Sequence, residues 1–214
     1  LGEGEQAMIA LRFDAETHTY WLGDRKVPGV TSILAPLVDF SFIKAEVLAR
    51  KAALGSAVHF ACELLDQDDL DWSSVAPEML PYVESYAQFK VDTRFVPHAI
   101  ERRVLHPTHL YAGTLDRTGL MYDEPALLDL KCVAQLSPAT GVQTAAYKGA
   151  LEAEGDTFEH PMPQKRFALQ LRPDGKYRLK EYREPTDWPT FLSLKTVYAW
   201  NQRNGLDKKN DEHQ

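Results

Sequence analysis

The order of hydrophobic patterns predicts a mixed α and β protein, one domain spanning residues 1–214. Three observations predict it. Apolar residues recur at helical spacing through 31–95, strand-like runs crowd 96–185 around one helical stretch, and a last helical pattern fills 186–206. The expected organisation is an N-terminal hairpin region at 1–30, that helical segment, a core with a central mixed sheet flanked by helices, a C-terminal helix, and a polar tail at 207–214. With 44% hydrophobic and 26% charged residues, the chain has the composition of a globular domain with a core of useful size.

Taken in order, 9–13 and 19–22 read as two short strands around an Asp-Ala-Glu-Thr turn. Residues 23–26 make a second turn, and Thr31 or Ser32 is expected to cap a short helix ending near Pro36. Val47, Leu48, Ala52, Leu54, Val58, Ala61 and Leu65 mark a helix over 41–66, and a second is expected over 77–94 with proline in its first turn. Strands follow at 99–105, 111–121 and 126–133, then a helix over 137–154 opening with Ser-Pro. Strands at 165–171 and 177–182 flank Pro173-Asp174-Gly175-Lys176, a strong hairpin signal, and a helix over 186–203 ends the pattern. Leu1 to Ala7, ahead of Met8, read as an appended remnant.

No run approaches eighteen apolar residues, and the N-terminus lacks a secretory or transit pattern, so the expected location is cytoplasmic with no membrane partner. Cys62 and Cys132 stand far apart with no CxxC partner, which argues against a disulfide framework, a zinc site or an iron–sulfur cluster. The net charge of −7 weighs neither way on nucleic acid, because a local basic strip matters more than the sum and metal-binding carboxylates lower it.

The segment with chemical content is Gly113-Thr114-Leu115-Asp116 followed by Leu128-Asp129-Leu130-Lys131. A loop at 122–125 places Met121 opposite Ala126, so that Asp116 faces Lys131 and Thr118 faces Asp129. Cross-strand partners and residues two apart share a face, which puts Asp116, Asp129 and Lys131 together. Leu115, Met121, Ala126, Leu128 and Leu130 occupy the other face, with Arg117 the exception. Two carboxylates and an amine suit Mg²⁺-assisted phosphodiester hydrolysis, with Mn²⁺ able to substitute. For Asp-x-Lys alone, an ordinary ion pair on a solvated strand competes with that reading. Gln143 and Tyr147 lie one turn apart on the next helix, Glu101 on the preceding strand, and His59 one turn before Glu63 on the long N-terminal helix.

His59, Gly113-x-x-Asp116, Asp129-Leu130-Lys131 and Gln143-x-x-x-Tyr147, in that order, resemble the PD-(D/E)XK nucleases, specifically the RecB-like exonuclease branch. Thr17-His18-Thr19-Tyr20 and Val27-Pro28-Gly29-Val30-Thr31 resemble the openings of phage-encoded members, with Gly29 where those usually have serine. The mitochondrial genome-maintenance exonuclease looks similar around Gly113 to Asp116 and Gln143 to Ala150. The resemblance implies a restriction-endonuclease-like core and a DNA exonuclease of recombination or repair. Metal ligands would be Asp116, Asp129 and the Leu130 carbonyl, with His59 or Glu101 as a further ligand or organiser, and Lys131 would be the catalytic lysine. Gln143 and Tyr147 would support the site or the DNA. A structural histidine at 59, a surface ion pair at Glu101 and core packing at Tyr147 remain open beside these roles. The implied partners are a single- or double-stranded DNA end, a homo-oligomer and a single-strand annealing protein. No ATP is expected, since no G-x-x-x-x-G-K-[ST] segment exists. A flap or structure-specific endonuclease, or a noncatalytic DNA-binding subunit, are the alternative readings. Arg102, Arg103, Arg117, Lys148, Lys165 and Arg166 are candidates to meet phosphates, and Tyr20, Trp21 and Tyr111 to stack on bases.

Overall fold

The computed structural model describes residues 10–155 and 158–206, so the expectations for residues 1–7 and for the tail at 207–214 lie outside the described residues. Strands β1 (Leu11–Asp14), β2 (Thr19–Leu22) and β3 (Arg25–Val27) form a small antiparallel sheet. The sequence had suggested only the first two. Helices α1 (Val30–Leu34), α2 (Ala45–Asp66) and α3 (Leu80–Thr93) follow. The central sheet contains β4 (Val96–His106), β5 (Tyr111–Met121), β6 (Glu124–Lys131), β7 (Lys165–Leu171) and β8 (Tyr177–Tyr182), in spatial order β4-β5-β6-β7-β8. Helix α4 (Ala139–Glu154) connects β6 to β7, and α5 (Asp187–Arg203) comes last. Within the central sheet β6 and β7 run parallel and the other neighbouring pairs antiparallel. The parallel pair needs a crossover, and α4 supplies it. The mixed sheet flanked by helices is the predicted class.

Local differences have local causes. Helix α1 begins at Val30 with Gly29 at its N-cap and no side-chain cap, so neither Thr31 nor Ser32 plays the expected part. Helix α2 starts four residues later than the periodicity suggested and α3 three later. The β5–β6 turn is Tyr122-Asp123, with φ of 52° and 64°, the two positive values that a tight two-residue hairpin requires. Met121 therefore faces Glu124 rather than Ala126, and Thr118 faces Leu127 rather than Asp129. The register slips by two from the expected one. A two-residue slip leaves every side chain on its original face, whereas a slip of one would have reversed them.

Each face of the sheet buries a core. On one side Leu127, Val104, Tyr111 and Leu115 pack with Val142, Ala146 and Leu151 of α4 and Phe191 of α5. On the other, Met121, Ala126, Leu128, Leu130, Phe167 and Leu169 pack with Val58 and Cys62 of α2 and Tyr86 and Phe89 of α3. Leu115 is thus on the α4 side, not with Leu128 as the alternation had suggested. Arg117, opposite Leu128 and against the Tyr86 ring, is on the α2–α3 side. Alternation predicts that 115 and 117 share a face, so β5 changes face at Asp116. Across the ladder from that point stands Glu101, whose φ of 45° is a left-handed value outside the extended range.

Candidate active site

The site lies where β5 and β6 part. Their pairing ends at Arg117 opposite Leu128, and Asp116 and Asp129 are the next residues along. Asp116 Oδ2 accepts the Leu130 N–H at 2.6 Å, a charge-assisted bond that satisfies an amide with no strand partner on that side. From α2, His59 Nε2 lies 3.0 Å from the Leu130 carbonyl oxygen. A carbonyl can only accept, so Nε2 carries the hydrogen and a neutral ring presents its Nδ1 lone pair. That nitrogen is 3.8 Å from Glu101 Oε1 and 3.8 Å from Asp116 Oδ2. His59, Glu101 and Asp116 offer one ligand atom each within 4.8 Å of one another, a set suited to a divalent cation.

Asp129 and Lys131 stand beside this trio as an ion pair, Oδ2 to Nζ 2.6 Å. Asp129 is 1% exposed, and apart from the pair neither of its carboxylate oxygens has a hydrogen-bond partner among the described residues. A buried carboxylate so poorly satisfied is costly. A bound cation would offset that cost, so the residues fit a metal. Burial, with added repulsion from Asp116, pushes the Asp129 carboxyl up to about 6 against the pull of Lys131. Burial works to lower the Lys131 ammonium, but Asp129 and Asp116 outweigh it and the pKa rises. Lys131 therefore stays charged.

Glu101 is placed by a buried network. Arg117 Nη1 donates to Glu101 Oε1 at 2.8 Å and to the Asp116 carbonyl at 2.7 Å, while its Nε donates to Asp66 Oδ2 at 2.6 Å. Tyr86 donates to the same Asp66 oxygen at 2.7 Å, and Lys90 Nζ stands 2.8 Å from Asp66 Oδ1. A left-handed φ on a glutamate costs on the order of 1–3 kcal/mol, and these bonds are what hold it. Burial first, then the Asp116 charge, push the Glu101 carboxyl up to about 7, with Arg117 pulling the other way.

Helix α4 closes the site from its own side. Its N-cap is Pro138, which makes no side-chain cap bond, while Ser137 Oγ just ahead of it accepts the Ala139 N–H at 3.1 Å. Gln143 Nε2 donates to Tyr147 Oη at 3.1 Å, which confirms their common face. Tyr147 is buried, and its ring explains Gly113: a Cβ there would lie 2.6 Å from Tyr147 Cε1 and 3.1 Å from Val30 Cγ2. Burial, with Asp129 nearby, raises its phenol. Tyr20 Oη and Thr114 Oγ1 share a hydrogen bond at 2.9 Å.

The His59–Glu101–Asp116 trio opens into a cleft of about 540 Å³ between α2 and the N-terminal sheet, whose lining does not include Asp129 or Lys131. His59, Glu101, Asp116, Gln143 and Tyr147 all line it, as do Phe13, Phe60, Glu63 and Arg103. Asp66, Phe13 and Phe60 were not singled out by the sequence. Asp66 carried no signal beyond an acid at a helix end. Several expected DNA contacts are placed elsewhere. Arg117 is fully buried in the Asp66–Glu101 network. Arg166 is buried against the Gly141 carbonyl at 2.6 Å and Asp187 Oδ2 at 2.9 Å. Tyr111 is a core residue donating to the Ala146 carbonyl at 2.7 Å, whereas Tyr20 borders the cleft but, at 2% exposed, backs the Phe13 ring rather than offering a face of its own. Arg102, Lys148 and Lys165 pair with Glu154, Glu152 and Glu124. Trp21 lies under Arg12 and outside the cleft.

No family model and no curated protein matches the chain. Among solved structures it is similar to an alkaline exonuclease from Laribacter hongkongensis, at 14% identity over 81% of this chain and 90% of that one, TM-score 0.38. A second structure of that enzyme, in complex with dAMP, is similar at 14% identity over 85% and 90%, TM-score 0.38. SSO0001 is similar at 17% identity over 72% and 71%, TM-score 0.35.

Proposed function

We propose that this protein is a divalent-metal-dependent deoxyribonuclease that removes nucleotides from DNA ends. One observation carries the reading: His59, Glu101 and Asp116 converge within 4.8 Å beside the buried Asp129–Lys131 pair. A bound Mg²⁺ would polarise the scissile phosphate and lower the pKa of a coordinated water. Asp116 and Glu101 would hold the ion, with His59 Nδ1 turned toward it and the Asp129 carboxylate close enough to Asp116 to add its charge. Lys131, kept protonated by Asp129, sets an ammonium where negative charge grows on the phosphate oxygens. Gln143 and Tyr147 fix the α4 edge of the site.

The shape of the cleft supports a preference for an end. Helix α2 bounds one side and the N-terminal sheet another, an arrangement that favours a strand entering lengthwise to bring a phosphate to Asp116. The test compares linear DNA with covalently closed circles of the same sequence, single-stranded and duplex, in Mg²⁺ and in EDTA. Degradation of linear molecules to short products, with circles intact and EDTA inhibitory, is the expected result. Circles cut as fast as linear DNA would replace the exonuclease reading by an endonuclease on the same site, and full activity in EDTA would remove the metal mechanism.

A further inference from the structure

We infer that the cleft grips single-stranded DNA by its bases, in a slot between Phe60 and the Phe13–His18–Tyr20 ring cluster. The inference rests on the hydrolytic reading above and names the substrate class of that same site. The position of the rings and the scarcity of cations beside them carry it.

The β1–β2 register pairs Phe13 with Tyr20, so both rings stand on one face of the N-terminal sheet, centroids 4.7 Å apart. His18 sets a third ring edge-on to Phe13 at 5.1 Å. Arg103 of β4 holds its guanidinium 5.4 Å from the Phe13 centroid, charge over a ring. From α2 comes Phe60, next in sequence to His59 and 59% exposed. The buried residues of α2 are Val58, Ala61 and Cys62, so Phe60 is outside the core that anchors the helix. All five side chains line the cleft.

Charge separates the possible substrates. Among the described residues lining the cleft, Arg103 is the one arginine or lysine, against Glu63, Glu101 and Asp116. Affinity for a duplex comes largely from neutralising phosphates with several cations, and one arginine does little of that. In a duplex the base faces are already stacked on one another. An unpaired strand offers them to Phe60 and Phe13, and aromatic stacking accepts any base because every base has a π-face. Arg103 then meets a single phosphate while the rings take its neighbours.

Fluorescence anisotropy with an end-labelled oligothymidylate and a blunt DNA hairpin, in Ca²⁺ so that strands persist, tests this. The single strand should bind at least tenfold more tightly, with log K falling against log salt at a slope of about −1, as one or two phosphate contacts give. Phe60→Leu and Phe60→Ala should each weaken the single strand about five- to a hundred-fold, because leucine keeps apolar bulk but has no ring. Hairpin binding as tight as the single strand, or unchanged affinity in both variants, would overturn the inference. The hydrolytic reading is checked separately by turnover of bis(p-nitrophenyl) phosphate by the unaltered protein in Mn²⁺, which needs no strand. Loss of that turnover sinks the nuclease reading while the binding measurement still decides the slot.

Discussion

Two buried arginines invite comparison, since both stand among hydrophobic strand residues and both were expected to meet phosphates. Arg166 on β7 binds the Gly141 carbonyl and Asp187, and so fastens α4 to the start of α5. Its ion pair is complete within that joint. Arg117 on β5 binds Asp66 on one side and Glu101 on the other, and Glu101 lines the cleft. The same residue type is therefore a fastener in one place and a strut under a carboxylate of the cleft in the other. Burial alone does not separate them; the far end of the network does.

Sharpest is the contrast in activity. Asp116→Asn and Lys131→Met should each lower hydrolysis of linear DNA by 10³-fold or more while circular dichroism stays native, whereas Asp187→Asn, on the Arg166 side, should retain turnover within a fewfold. End-labelled product analysis reads all three. Substantial activity in both site variants would dismiss the assignment of the site.

Stability should fall in both networks, by similar amounts. Arg166→Met strands Asp187, and Arg117→Met takes the shared cation from Glu101 and from Asp66, which keeps Lys90 and Tyr86; each loss is on the order of 3 kcal/mol in chemical denaturation. If Arg117 were merely a fastener, Mn²⁺ affinity would be the same in the two variants wherever both remain folded. The expected result is weaker binding in Arg117→Met alone, measured calorimetrically.

A smaller effect concerns His59. Because Nδ1 faces both Glu101 and Asp116, His59→Ala should raise the Mn²⁺ concentration for half-maximal binding about tenfold, with a change in thermal stability near 1 kcal/mol. An unchanged titration would leave His59 as a tie to the Leu130 carbonyl only.

The mildest test is pH. Glu101 and Asp129 have raised folded values, about 7 and about 6, so between roughly pH 4 and pH 7 the folded state retains protons that the unfolded chain has released. Stability without metal should therefore decline as pH rises through that window, on the order of 2 kcal/mol. Saturating Mn²⁺ should cancel the decline, and denaturant midpoints at pH 5 and pH 8 with and without the ion show whether it does.

Much of this was legible in the chain. Period and turn signals predict the element order apart from β3, and two-residue spacing puts Asp129 and Lys131 on one face whichever of the two registers forms. The turn length was misjudged because Tyr122-Asp123 lacks glycine, although both residues adopt positive φ. Arg117 was visible as a charge among apolar neighbours, but its partner Asp66 lies 51 residues away on α2. Periodicity reports which face a residue takes and is silent about what waits there. The change of face at Asp116 is hidden for a similar reason, since it coincides with a left-handed Glu101 across the ladder that no residue preference announces.

The bond from Asp116 to the Leu130 amide has a spectroscopic consequence. At the point where the ladder ends, that amide relies on a side chain to shield it from solvent exchange. Its deuterium exchange and nitrogen chemical shift therefore register the Asp116 carboxylate directly, while Ala126, inside the ladder, registers the sheet. One pair of backbone signals would then distinguish a disturbed site from a loosened fold, with no substrate in the tube.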